Sequence, residues 1–369
     1  MRFLDLKYDA FGLDINDLSV KIAKLSRRGT KFFISSFNKI KIEPGLVESG
    51  VIKDEKALAK AVKSAYSNVK GKKLKTKYIV ASLPEEESFL QVIQMPRMSE
   101  NELRSAVFFE AENYIPTSID QVYLDFQIIP PIKDSLDHKD VLVVATPKKI
   151  VDSYVSCFKL AGLIPIALEV ESQSMIRALV KNETSEYPLA VIDFGENNTD
   201  FIVFSGHSIR FTYSMPVSSG QLTLAISQDL NINIDRAEDM KIKCGVAEPK
   251  EKVPASFKKV VQANNRVLEN FVEQIKKYID FYQDHASHEH LSSKGGIQKV
   301  ILCGGGAGLK GLPEFLTKKI GIQTEVADPF INLPQKEKNG INPSEFLSFA
   351  TALGLAIRGV DSKEDNHSF

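Results

Sequence analysis

Features that mark secreted, membrane-spanning and nucleic-acid-binding proteins are scarce in this sequence. It has three cysteines in 369 residues, Cys157, Cys244 and Cys303, and their spacing fits neither a full disulfide framework nor a metal site. Lys plus Arg and Asp plus Glu total 47 each, so the net charge does not attract the chain to nucleic acid or anionic lipid. No stretch approaches the roughly 18 apolar residues that a membrane helix needs. We therefore expect a protein of a reducing cytoplasm, with no nucleic-acid partner and no direct membrane insertion.

The apolar content, in contrast, is 43%, which is enough for a substantial core and for two or more domains. The first strand signals are "FGLDI", "SVKIAKL" and "KFFISSFNKIKI", separated by turn residues, and they predict a β-meander. Apolar residues then recur at helical spacing over "DEKALAKAVKSAYSNV", where Asp54 is the predicted N-cap. A short buried strand is predicted at "KYIVASLP".

The pattern changes between Pro84 and about Gly162. Signals for a strand, a helix, two strands and a second helix follow one another there, which predicts a compact α+β unit inserted in the chain. Ser99 and Glu102 form a plausible capping box at the start of the first of these helices.

A repeated pattern divides the chain into two related halves. "GLDINDLSVKI" and "VIDFGENNTDFIV" both run from apolar residues through an Asp and a short polar turn to apolar residues again. The predicted units are a first lobe (1–83 plus 165–188), an inserted α+β subdomain (84–164), a second lobe (189–210 plus 297–360), a mainly helical subdomain (211–296) and a disordered tail (361–369).

The two repeated hairpins are candidate phosphate and metal sites. A tight turn between strands gathers backbone N–H groups that can hold phosphate oxygens. An acid at the strand end suits a Mg²⁺ ion that keeps most of its waters, which makes Asp14 and Asp193 the candidate metal-orienting residues. Ser19 or Thr199 would place a hydroxyl near the phosphates. The alternative is that these residues are ordinary hairpin turn residues.

Two further elements could contact a ligand. "VILCGGGAGLKGL" places glycines between a strand and a helix, where a ligand could approach bare backbone, although a plain strand-to-helix turn would look the same. It fits neither a Rossmann unit nor a Walker A loop: a Rossmann unit needs several further parallel strands, whereas only "QTEVA" and a helical segment remain, and no Gly-Lys-Ser/Thr follows. Glu238 and Lys241 share a helix face, as a surface ion pair or as ligands of ribose hydroxyls.

In this order, the four elements resemble the actin-like ATPase superfamily, and most closely its FtsA-like PilM family of type IV pilus assembly proteins. The resemblance implies an α/β, two-lobed actin-like fold with duplicated ATPase-type halves, an inserted α+β subdomain, and ATP with Mg²⁺ in the central cleft. It places Asp14 and Asp193 near the metal, Gly195 and Thr199 at the phosphates, Glu238 and Lys241 at the ribose, and Gly304, Gly305 and Gly306 against the adenosine. The other candidate nucleotide contacts are Asn16, Asp17, Ser19, Asn197 and Gly220.

The sequence departs from the family pattern at two places. The family usually has a glycine and small hydroxyl residues after the first Asp, but here Asp17 adds negative charge beside the expected phosphates. Ser218 and Ser219 replace the usual Gly-Gly pair, and Gly220 is shifted along the chain. These changes predict that nucleotide binding is weakened or lost while the fold is kept as a scaffold.

The resemblance also implies a function and partners. The protein would join the inner-membrane platform of the pilus machine by binding the short N-terminal cytoplasmic tail of a PilN-like membrane protein in a groove beside the insertion, and would meet other platform proteins. Its partner would hold it at the inner face of the cytoplasmic membrane, and a homo-oligomer is left open. Any ATPase activity would be weak.

Several alternatives stay open from the residues. Glu169 or Glu171 could orient an attacking water, or both could be packed acids at a strand end. A small-molecule kinase of the superfamily would need a substrate base, for which no signature is evident. An FtsA-like cell-division protein would need an amphipathic C-terminal helix, and "RGVDSKEDNHSF" has no apolar face. The histidines of "HASHEH" (285–290) could hold a metal or end a solvated helix.

Overall fold

The computed structural model describes residues 8–28, 31–131, 137–246, 254–285, 295–333 and 343–360. The strands of these ranges are β1 Phe11–Asn16, β2 Ser19–Arg28, β3 Lys31–Lys41, β4 Val47–Glu48, β5 Val51–Ile52, β6 Lys70–Gly71, β7 Tyr78–Leu83, β8 Phe89–Pro96, β9 Val122–Ile128, β10 His138–Pro147, β11 Ile164–Val170, β12 Ser185–Phe194, β13 Thr199–Gly206, β14 Ser208–Met215, β15 Lys299–Cys303 and β16 Gln323–Val326. The helices are α1 Glu55–Ser67, α2 Glu100–Ala111, α3 Lys148–Leu160, α4 Glu171–Leu179, α5 Ser219–Leu230, α6 Ile234–Cys244, α7 Ala255–His285, α8 Leu312–Ile320, α9 Pro343–Phe346 and α10 Ala350–Arg358.

Two large sheets share one topology. The first has the strand order β11-β7-β1-β2-β3-β6 and the second has β14-β13-β12-β15-β16. In each, three consecutive strands form an antiparallel meander, and two later strands add in parallel beside its first strand. The predicted duplication of the fold is therefore confirmed, and the two apolar–Asp–turn–apolar repeats are the β1-β2 and β12-β13 hairpins.

Local signals behave as predicted at two helix starts. The Asp54 side chain accepts a hydrogen bond from the Ala57 N–H at 2.9 Å and caps α1. Ser99 and Glu102 form the predicted capping box at α2. Both caps satisfy backbone donors that a helix cannot satisfy internally.

The insertion has its own small core and packs against the second lobe. Its sheet has the order β8-β10-β9, and buried residues such as Val107 of α2 and Val143 of β10 pack together on one face. Strand β8 lies along β14 of the second lobe. Close by, Arg210 donates to the Asp140 carboxylate across 2.5 Å, and both side chains are buried. A buried ion pair of this kind fixes how the two units meet.

The predicted boundary of the insertion at residue 164 is corrected by the packing of α3. Ile150, Tyr154, Cys157 and Phe158 are buried in the core of the first lobe together with α1 residues such as Leu58. The insertion therefore ends with β10. The sequence showed a helix next to the inserted strands, but only its packing reveals which core it joins.

The mainly helical subdomain is also smaller than predicted. Residues 211–215 belong to β14, the third strand of the second sheet, rather than to a helical unit. Helix α7 serves two cores: Val260 and Val261 pack with α5 and α6, whereas Phe271 and Ile275 pack into the main core of the second lobe.

The last helix returns to the first lobe, although the sequence placed residues 350–358 in the second. Helix α10 packs on β1, β2 and β7 and against α4. Two glycines permit this approach: a Cβ at Gly12 would lie 2.2 Å from the Ala352 carbonyl oxygen, and a Cβ at Gly354 would lie 1.8 Å from the Ser174 carbonyl oxygen. The first sheet is thus covered by α1 and α3 on one face and by α4 and α10 on the other.

Two predictions fall outside the described residues: the disordered tail 361–369 and, beyond His285, the histidine tract. None of the helices in the described part of the chain combines the length and the apolarity needed to span a bilayer.

Candidate functional site

A row of polar side chains crosses the first sheet where its hairpin faces the second lobe. In the strand register Asp14 lies opposite Lys21, and Lys21 lies opposite Lys39 on the next strand. The Lys21 ammonium donates to Asp14 Oδ2 at 2.7 Å, and the Ser82 hydroxyl donates to Asp14 Oδ1 at 3.0 Å. Asp14 is buried, and each of its carboxylate oxygens already has a donor. It can therefore orient ligands through Lys21 more readily than it can bind a metal directly.

The second hairpin presents acids at the corresponding positions. Asp193 lies opposite Asp200, which lies opposite Ser214. Burial raises the pKa of Asp193 to about 6, and the nearby Asp14 adds to this, while Lys21 opposes it. Lys21 therefore neutralises negative charge from both hairpins across the interlobe cleft.

Asn16 and Ser19 hold the first turn together. The Asn16 Oδ1 atom accepts from the Leu18 N–H at 3.1 Å, the Ser19 N–H at 2.9 Å and the Ser19 hydroxyl at 3.0 Å. This Asx turn does the work of the family's glycine, because an Asn side chain can replace backbone hydrogen bonds in a tight turn. Both side chains are thus engaged in the turn itself.

Asp17 is turned away from the expected phosphates. Its carboxylate accepts from the Ser49 and Gly50 N–H groups at 3.0 and 3.1 Å, in the connection between β4 and β5. It also accepts from the Asn197 side chain at 3.3 Å. The extra negative charge is therefore balanced by backbone dipoles, and it links the first hairpin directly to the second. A parallel link joins Asn198 to Glu86 at 2.5 Å, at the start of the insertion.

The second turn packs closely on the start of α5. Ser219 N–H donates to the Gly195 carbonyl at 2.9 Å, and Gly220 N–H donates to the Glu196 carbonyl at 3.0 Å. A Cβ at Gly220 would lie 2.4 Å from that Glu196 oxygen, so the shifted glycine has a packing function. Thr199 differs from its predicted role, since its fully buried hydroxyl donates to the Val217 carbonyl at 2.6 Å and does not face the cleft.

The glycines after β15 divide into two kinds. A Cβ at Gly304 would lie 2.1 Å from Asp193 Oδ1, and one at Gly306 would lie 2.5 Å from the Phe194 ring, so both pack against the second hairpin. Gly304 also has a φ of +84°, which favours glycine. At Gly305 and Gly308, in contrast, a Cβ would meet no atom within 4 Å. These two positions leave bare backbone beside open space.

Glu238 and Lys241 form one network with α5. Lys241 is buried, and its ammonium lies 2.7 Å from Glu238 Oε2, 2.9 Å from the Thr223 hydroxyl and 3.0 Å from the Ser219 carbonyl oxygen. Lys241 therefore ties α6 to the start of α5, whereas the Glu238 side chain is 44% exposed and can reach a ligand.

Glu169 is corrected as a catalytic candidate. Arg177 and Arg358 donate to its two carboxylate oxygens at 2.5 and 2.6 Å, and the group is buried. Each oxygen already accepts from a guanidinium, which favours a structural role over the orientation of a water. Its neighbour Glu171 lies at the start of α4, where it interacts electrostatically with Asp14 and Asp200.

Sequence reasoning missed Lys21, Glu85 and Asp200. Glu85 accepts from the Ser172 N–H at 3.1 Å, and Glu171 accepts from the Glu85 N–H at 3.3 Å. Each carboxylate therefore satisfies a backbone donor in the segment that contains the other acid. Burial raises the pKa of Glu85, of Glu171 and of Asp200. One signal was available: a residue seven positions after the hairpin Asp becomes its cross-strand partner, Lys21 in one half and Asp200 in the other.

The cleft fits a nucleotide better than a bare metal ion. No group of three or more His, Cys, Asp or Glu side chains among the described residues is arranged to hold a metal. Mg²⁺ commonly binds with phosphate oxygens, waters and only one or two carboxylates. Asp193 could supply that contact, Lys21 could meet the phosphates, and Gly305 leaves room for a flat ring system.

Comparison with known proteins adds the family. A model of the type IV pilus assembly protein PilM matches residues 12–360. The solved structure of a PilM-PilN type IV pilus biogenesis complex has a TM-score of 0.77 at 25% identity, covering 96% of this chain and 99% of that chain. MreB5 of Spiroplasma citri bound to ADP has a TM-score of 0.52 at 14% identity, covering 92% and 93% of the two chains, and shares the fold.

Curated cell division proteins FtsA are also similar to this chain. FtsA of Streptococcus pneumoniae is 23% identical over 402 residues, 97% of this chain and 84% of its own length. FtsA of Helicobacter pylori is 27% identical over 189 residues, 47% of this chain, and the match spans only 37% of that relative's length. These matches agree with the duplicated actin-like architecture, and the match of the family model over nearly the whole sequence shows that the chain belongs to the PilM family of type IV pilus assembly proteins.

Proposed function

We propose that the protein is an ATP-binding scaffold of the type IV pilus inner-membrane platform, which binds the N-terminal cytoplasmic tail of a PilN-like membrane protein. Membership of the PilM family and the similarity to a PilM-PilN complex support the partner. The partner's membrane anchor would hold the scaffold at the inner face of the cytoplasmic membrane, where other platform proteins could join it.

One observation carries the nucleotide part of the proposal. The Asp14–Lys21 and Asp193–Asp200 hairpins face each other, and beside them Gly305 and Gly308 border open space while Gly304 and Gly306 are packed. The backbone at Gly305 and Gly308 is therefore open to approach by a flat ring system. The orientation of Asp17 towards Ser49 and Gly50 also removes the main electrostatic objection to phosphate binding.

Hydrolysis is expected to be weak. Bound Mg²⁺ would supply a positive charge that stabilises the phosphates, and the protein would contribute positioning. Glu171 is the residue best placed to orient a water, but burial, together with the charges of Asp14 and Asp200, raises its pKa well above the ordinary value. A raised pKa disfavours the ionised carboxylate, which is the form that would accept a proton from water. This supports a binding role above an enzymatic one.

Calorimetric titration of ATP with Mg²⁺ tests the cleft. We expect saturable binding to the wild-type protein and at least about ten-fold weaker binding to Asp193→Asn, because a charged metal contact is lost. When EDTA removes Mg²⁺, Asp193→Asn should bind ATP at least as tightly as wild type, because the carboxylate then only repels the phosphates. Asp125→Ala, which removes an exposed acid of the insertion, is the matched control. Equal affinities of wild type and Asp193→Asn in Mg²⁺ would contradict the metal role.

A glycine pair separates ligand contact from folding in the same assay. Gly305→Val should abolish ATP binding with little change in melting temperature, since its side chain would enter open space. Gly304→Val should weaken ATP binding and also lower the melting temperature, because its side chain would collide with Asp193. Undiminished ATP binding by Gly305→Val would rule out the proposed adenosine position.

The partner is tested with a labelled peptide. The N-terminal cytoplasmic tail of the PilN-like protein from the same genome is titrated with the scaffold, and fluorescence anisotropy is measured. We expect saturable binding that a scrambled tail of the same composition does not reproduce. Identical binding curves for the native and scrambled peptides would show that the association is non-specific, and would overturn the scaffold proposal.

A further inference from the structure

Lys39 extends the polar row of the first sheet to a third strand. It lies opposite Lys21 in the β2-β3 register, so the two side chains project from the same face of the sheet. Its side chain is partly buried but reaches the surface, and its ammonium donates to the Ser348 hydroxyl at 3.4 Å, which is long for a hydrogen bond. The Lys39 ammonium is therefore only weakly held by its protein partner.

The surroundings of Lys39 come from three parts of the site. Its ammonium interacts electrostatically with Lys21 and Asp14 of the first hairpin and with Glu196 of the second hairpin. Ser348 adjoins Leu347, whose carbonyl accepts from the Gly304 N–H at 3.2 Å. The amine thus lies between the two hairpins and the segment that supports the glycine loop.

Two neighbouring lysines on one sheet face repel each other. Lys21 is matched by the buried Asp14, but no comparable carboxylate contacts Lys39 among the described residues. Partial burial, followed by the charge of Lys21, lowers the pKa of Lys39. An anion between the two amines would relieve this repulsion.

We propose that Lys39 is a phosphate-binding residue of the cleft, which reaches the phosphate chain of the nucleotide from β3 while Lys21 reaches it from β2. The inference rests on the proposed nucleotide binding and deepens it. It adds a contact from outside the hairpins and the glycine loop.

Titration of ATP, ADP and adenosine into Lys39→Met and into wild type tests the contact. Loss of a charge-assisted hydrogen bond should weaken ATP and ADP binding by about ten-fold and leave adenosine binding unchanged. Lys39→Arg should retain most of the affinity. The matched control is Lys63→Met, which removes the same charge from an exposed position on α1, across the opposite face of the sheet.

The possible results separate the Lys39 contact from the nucleotide cleft itself. Wild-type affinity in a folded Lys39→Met variant would overturn the role of Lys39 while leaving the nucleotide cleft intact. Equal weakening in Lys63→Met would reduce the effect to overall charge and overturn the contact. If wild type binds none of the three ligands, both the cleft and the Lys39 contact are rejected. An unchanged melting temperature of Lys39→Met confirms that binding, and not folding, is being measured.

Discussion

Replacement of Gly354 by alanine is expected to lower the free energy of unfolding by about 3 kcal/mol, the upper end for forcing an extra carbon into a packed interior. The added Cβ would lie 1.8 Å from the Ser174 carbonyl oxygen of α4. Both contacting groups belong to helices, so neither backbone can move without displacing its whole element. Urea denaturation followed by circular dichroism measures the change.

The sign of this effect is diagnostic. Gly to Ala within a helix normally stabilises a protein by up to about 1 kcal/mol, so a loss at Gly354 can come only from the close helix contact. Gly308→Ala is the control, because its Cβ would meet no atom within 4 Å. A stabilised Gly354→Ala variant would show that α10 and α4 are further apart than described.

Glu169→Gln should cost about 3 kcal/mol of stability, since it leaves two guanidinium groups beside a neutral amide in a buried site. The wild-type carboxylate binds Arg177 and Arg358 through separate oxygens. Glu273→Gln, which changes an exposed acid of α7, should have little effect on the denaturation midpoint. A near-wild-type midpoint for Glu169→Gln would remove the structural role and reopen a functional one.

The pH dependence of this stabilisation has a definite sign. Burial alone would raise the pKa of Glu169, but Arg177 and Arg358 outweigh burial and hold it below the ordinary value of 4.5. A lowered folded-state pKa means that the stabilisation is present above about pH 4.5 and is lost as the pH falls through the folded value. The difference between wild type and Glu169→Gln should therefore shrink in acid, whereas a gap that widens in acid would contradict the ion pairs.

The sequence predicted well what depends on neighbouring residues. The duplicated hairpins, the cap at Asp54 and the capping box at Ser99 follow from local pattern and turn chemistry. The candidate site was harder to predict from the sequence, because strand register decides which of its residues pair. Lys21 contacts Asp14 only because a two-residue turn aligns them, and Lys39 joins the row through a second register.

The features that the sequence did not predict depend on tertiary packing. Glu169 and Glu171 stand two residues apart at a strand end, and no local signal separates a carboxylate clamped by two arginines from one facing the cleft. The same limit explains α3, whose amphipathic pattern suits either of two adjacent cores. The charge of Asp17 is evident from its residue type, but the compensating N–H groups come from Ser49 and Gly50, more than thirty residues away.

The return of α10 to the first lobe has a consequence for biosynthesis. Residues 11–16 leave the ribosome early, yet the sheet face that contains Gly12 is covered by a helix made more than 300 residues later. Contacts so distant along the chain form slowly, and the apolar sheet face is prone to aggregation until α10 covers it. The amino-terminal lobe should therefore remain incomplete on the ribosome, and its closure should be one of the last events in folding.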